Sequence, residues 1–74
     1  MVALSLGLQA LRFAPASRAA KVICKDSAHD AWALREELSR VLSEIRREDQ
    51  AWWEEFVQMA RRLDPKLLQA ILPQ

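Results

Sequence analysis

The chain of 74 residues has a single glycine, a single cysteine, a single histidine and no tyrosine. Each scarcity excludes something. With Gly7 alone there is no glycine-rich loop to cradle a phosphate or form an oxyanion turn. Cys24 can form no internal disulfide, and with His29 the only histidine, a Cys/His zinc site would need carboxylates or a second subunit. Cys24 therefore reads as a small buried hydrophobe and His29 as a solvated or capping residue in the first turn of a helix. No metal ion and no cofactor is expected. Glycine and proline together number only four, 51% of residues are hydrophobic and 28% charged, which excludes a chain disordered throughout.

A long apolar run is also missing. Met1 to Leu11 is uncharged, but the run ends at Arg12, short of the ~20 residues that a membrane span needs. Positive charges follow this stretch where a secretory signal would place them before it. The expected location is intracellular and cytoplasmic. The alternative is mitochondrial, because the first 25 residues are alanine-rich, contain arginine and serine, and have no acid.

What the chain does have is charge divided along its length. Residues 1 to 25 carry Arg12, Arg18, Lys21 and Lys25 and no acid, for +4; the remainder carries seven basic against ten acidic residues, for −3. The whole reads as one small domain, 1–74, made of a basic arm (1–26) and an acidic helical body (27–74). Without disulfides or a metal, a core of this size gains its stability from helix packing or from association.

The expected fold is mainly α, a small helical hairpin or bundle with helices at about 28–47, 50–63 and 65–72. Ser27 and Asp30 offer a cap and a first-turn carboxylate for a helix starting at Ala28. Leu34, Leu38, Val41 and Ile45 then recur at spacings of four, three and four, while Glu36, Arg40, Glu44 and Arg47 form a charged outer ladder. The apolar pattern lapses over Arg46 to Gln50 and resumes in a new register with Trp52, Phe56, Met59 and Leu63, flanked by Trp53, Val57 and Ala60. A bend near Glu48-Asp49, with Asp49 capping the next helix, is favoured over one helix of ~54 Å paired with another chain. Asp64-Pro65 ends this segment and starts a short helix that should fold back onto the tryptophan seam, with Leu67, Leu68, Ile71 and Leu72 as its apolar face.

The N-terminal segment is ambiguous between a short β-hairpin and a short helix. Val2, Leu4, Leu6 and Leu8 alternate as in a half-buried strand, Ala14 to Ser17 read as a turn around Pro15, and Lys21 to Lys25 read as the return strand. The hairpin is slightly favoured, although Ser5, Gln9 and Arg12 would also share one narrow polar face of a helix.

A catalytic role is not expected. Cys24 and His29 have no orienting third group in a recognisable motif, and the adjacent acids Glu36-Glu37 and Glu54-Glu55 lack the Glu-x-x-His pattern of a di-metal bundle. The expected function is non-catalytic protein binding, as an adaptor, inhibitor or accessory subunit. Its partner is another protein or a second copy of the chain, met through Trp32, Trp52, Trp53 and Phe56, since large aromatics dominate interface hot spots. A core position is the competing role for Trp52 and Phe56, whereas Trp32 lies off the leucine stripe. The alternative function is association with nucleic acid through the basic arm and the pairs Arg46-Arg47 and Arg61-Arg62, disfavoured by the mixed charge of the body.

Overall fold

A computed structural model describes residues 9–72. Among them there is no strand: a 3₁₀ helix (Gln9–Phe13) leads into α1 (Ala16–Lys21), one π-helical turn (Val22–Asp26), α2 (Ala28–Ala33), α3 (Arg35–Glu48), α4 (Gln50–Leu63) and α5 (Pro65–Ile71). The protein is a small all-α bundle, with principal extents of 28 × 24 × 22 Å.

The two long helices follow from the apolar stripes. On α3, Leu38, Val41, Leu42 and Ile45 are buried; on α4, Trp52, Trp53, Phe56 and Ala60 are. The chain bends between them at Asp49, whose Oδ1 accepts the Trp52 amide at 3.1 Å. That bond satisfies one of the free donors at the start of α4. A 28 Å longest dimension leaves no room for a ~54 Å continuous helix. Asp64 acts in the same way one helix later, accepting the Leu67 amide at 3.1 Å, with Pro65 in the first turn. α5 then packs on α2, α3 and α4 and buries Leu67, Leu68 and Ile71.

Two expectations are corrected. Lys21 to Lys25 is no strand but the end of α1 and the π turn, in which the Ser27 amide reaches back five residues to Val22 O at 2.7 Å. A strand needs a ladder partner, and the preceding described residues form a 3₁₀ helix. The buried set Ala16, Ala19, Ala20, Ile23 and Cys24 recurs instead at helical spacing. Pro15 begins this helix, with φ −58° and ψ 145° and its carbonyl accepting the Ala19 amide at 2.9 Å. The alternating segment from Val2 to Leu8 lies outside the described residues.

The second correction concerns the helix expected at 28–47, which is two helices broken at Leu34 (φ −106°, ψ 23°). The break leaves carbonyls at the end of α2 without intrahelical partners, and Arg35 Nη1 donates to one of them, Trp32 O, at 3.0 Å. It also lets α2 turn onto α5 while α3 continues along α4. Ser27, expected as a cap, accepts no amide with its side chain, because its own backbone closes the π turn.

Residues 16–26 do not extend away from the helical body: α1 against α4 is the most extensive helix contact of the molecule, and Ala16, Ala19, Ala20 and Ile23 are almost wholly buried. Alanine on this face lets the two helix backbones approach closely. Arg12 is tied to the body as well, at 3.1 Å from Glu44 and 3.4 Å from Glu48, one turn apart on α3.

Candidate interaction surfaces

Four aromatic residues carry the expectation of an interface, and the fold separates them. Phe56 is fully buried and both Trp52 and Trp53 are less than a tenth exposed. Phe56 stands four residues after Trp52 and three after Trp53, so the two indoles, divergent on the helix, both reach its ring. Trp52 and Phe56 lie 5.2 Å apart at 8°, and Trp53 and Phe56 lie 5.7 Å apart at 23°. This near-parallel trio packs at separations favourable for aromatic pairs. Trp52 Nε1 donates to Ala14 O at 2.8 Å and so ties α4 to the turn before α1. These three side chains belong to the chain's own core, and in this fold a partner would meet at most the edges of Trp52 and Trp53.

Trp32 is different. It lies on the outer side of α2 and is 41% exposed, next to the Leu34 break, where Arg35 is held against its carbonyl. Phe13, which the sequence reading did not single out, is 83% exposed at the end of the 3₁₀ helix. The signal for it is weak, since one phenylalanine before a proline turn has no periodic context.

Among the described residues, grooves lie on two sides of α4. One, of about 300 Å³, runs past the Trp53 edge and Val57 and is rimmed by Gln50, Glu54, Gln58 and Arg61, a set of mixed charge. The other, of about 240 Å³, lies between α1 and α4 and is lined by Ser17, Arg18, Lys21, Lys25, Met59 and Leu63. Three of the four basic residues of the N-terminal third thus gather on one groove, which only the packing of α1 on α4 brings about.

The chemistry-bearing residues lie apart. The Cys24 thiol is buried, and burial first, then the negative charge of Asp64, push its pKa from 9.0 up to about 11. It is thus held protonated at neutral pH, the opposite of the thiolate that a nucleophile requires. His29, Glu36, Glu37, Glu54 and Glu55 are all exposed. No group of three or more His, Cys, Asp or Glu among the described residues is placed to hold a metal ion. No helix among them is long and apolar enough to cross a membrane.

No protein-family model matches the chain, and neither the curated proteins nor the solved structures contain a match to it.

Proposed function

We propose that the protein is a non-catalytic protein-binding module, an adaptor, inhibitor or accessory subunit, whose contact surface centres on Trp32. The observation that carries this reading is the exposure of Trp32 on a bundle whose other two tryptophans are enclosed. An indole left 41% exposed gives up apolar burial that Trp52 and Trp53 obtain, and tryptophan is among the residues most enriched at interface hot spots. The backbone carbonyl beneath it accepts a bond from Arg35 at 3.0 Å, beside the break between α2 and α3.

A photo-reactive tryptophan analogue at position 32, which keeps the indole, tests this, with the same residue at the exposed Gln69 position as control. The expected result is capture of one polypeptide from position 32 alone, either a second copy of the chain or another protein. Purified unlabelled chain should compete for it and the Trp32→Ala variant should not. Equal capture from both positions, or equal competition by the variant, overturns the reading.

Association with nucleic acid is the second reading, favoured by the convergence of Arg18, Lys21 and Lys25 on one groove. Phosphate-driven binding would weaken steeply as salt rises, whereas contact through Trp32 would not.

A further inference from the structure

Arg18, Lys21 and Lys25 stand three and four residues apart, a spacing that places side chains on one helical face. All three are exposed, and none makes an ion pair within the described residues, whereas Arg12 is held by Glu44 and Glu48. A row of like charges at this spacing destabilises the helix that bears it. Below the row, Met59 and Leu63, one turn apart on α4, are half-buried and form an apolar floor. The six residues lining the groove include three cations and no carboxylate, on a chain that has ten acidic residues.

We propose that this groove docks an acidic amphipathic helical segment of a partner protein. One or two leucine-sized side chains would lie over Met59 and Leu63, and flanking carboxylates would pair with Arg18, Lys21 and Lys25. Helix-in-groove recognition of this kind reads anchors at i and i+3 or i+4. At about 240 Å³ the groove is smaller than the ~300–1,000 Å³ of ordinary small-molecule pockets, a size suited to inserted side chains. A nucleic acid would find no aromatic face for a base on this floor. A membrane surface would require apolar groups that protrude, and Met59 and Leu63 are half-buried. The groove shares no residue with the Trp32 surface, so the two proposals stand or fall separately.

The test uses the full chain and a fluorescein-labelled synthetic helical peptide with leucines at i and i+4 flanked by glutamates, followed by fluorescence anisotropy. Two control peptides are used, one with the same composition and the leucines on opposite faces, the other equally charged with the leucines replaced by glutamine. The methyl group of Met59, which shares its residue type only with Met1, reports the position in a methyl NMR spectrum. The expected result is saturable binding of the first peptide, a shift of the Met59 signal, and binding weakened about tenfold or more by the double charge reversal Lys21→Glu, Lys25→Glu. A peptide with lysines in place of its glutamates should bind the reversed variant better than the native chain, a gain that a merely damaged fold would not produce.

The proposal is overturned by no saturable binding, by equal binding of either control peptide, or by an unmoved Met59 signal. Tighter binding of single-stranded RNA or of anionic lipid vesicles than of the peptide, with the same loss on charge reversal, overturns it in favour of that ligand.

Discussion

Trp52 is held in two ways, by its stack on Phe56 and by its indole N–H on Ala14 O. Trp52→Phe keeps an aromatic ring and removes the donor, so it should lower the unfolding free energy by about 1 kcal/mol or somewhat more. Phe56→Ala removes the ring that both indoles share and should cost about 3–5 kcal/mol. Chemical denaturation of both variants checks the order. Cys24 gives a pH signature. Its folded pKa lies above its ordinary value, so that above pH 9 the unfolded chain releases the thiol proton while the folded chain retains it. The stability associated with a protonated thiol is thus fully present below pH 9 and declines as pH rises toward about 11. Cys24→Ala should flatten that decline, and native Cys24 should react with a thiol reagent only as fast as the bundle opens.

The two aspartates that cap α4 and α5 work at the scale of the element. Asp49→Ala and Asp64→Ala should each destabilise the protein by about 1 kcal/mol. The caps lie at opposite ends of a 14-residue helix, ~21 Å long, so the double variant should show nearly the sum of the two losses. Asp64 has a further effect because its charge raises the Cys24 pKa. Asp64→Asn keeps an oxygen able to cap α5 and removes the charge. Its stability near neutral pH should stay close to that of the native chain, while the decline above pH 9 should become smaller. Urea titrations at pH 7 and pH 10 separate the two roles. The Leu34 break has no glycine or proline to announce it and depends on contacts: α2 turns onto α5, and Arg35 closes the exposed carbonyl of Trp32.

For the whole molecule, α1 and the π turn are part of the core. Ile23 is fully buried, and Ile23→Ala should cost about 2–5 kcal/mol, a large part of the roughly 4–11 kcal/mol expected for a chain of this length. Truncation to residues 27–74 should abolish cooperative unfolding, because α4 would lose its most extensive helix contact and its aromatic stripe would face water. Circular dichroism with thermal melting checks this; a truncated chain with a sharp transition would show that α3, α4 and α5 suffice. The Arg12 bridges to Glu44 and Glu48 are partly exposed and contribute at most about 1 kcal/mol, so apolar packing is what joins the N-terminal third to the rest.

Local chemistry made α3, α4 and α5 legible in the sequence. Large apolar residues at spacings of three and four have only one helical face to share, and Asp49 and Asp64 each sit where the first free amides of a helix can reach a carboxylate. The N-terminal helix was harder to read because its buried face is mostly alanine, whose weak hydropathy hides a periodicity carried by Ala16, Ala19, Ala20, Ile23 and Cys24. Val22 and Ile23 are β-branched, a local preference for strand that packing against the bundle overrides. Local pattern set Trp32 apart from the leucine stripe but could not show that Trp52 and Trp53 would both be enclosed. Trp52, Trp53 and Trp32 all stand on helices, and only the closure of α1 and α5 over α4 encloses two of them and leaves Trp32 in solvent. The cationic groove is a tertiary product too: residues 18 to 25 meet residues 59 and 63 because small alanines let two helices approach closely, a contact distant in sequence that no local periodicity records.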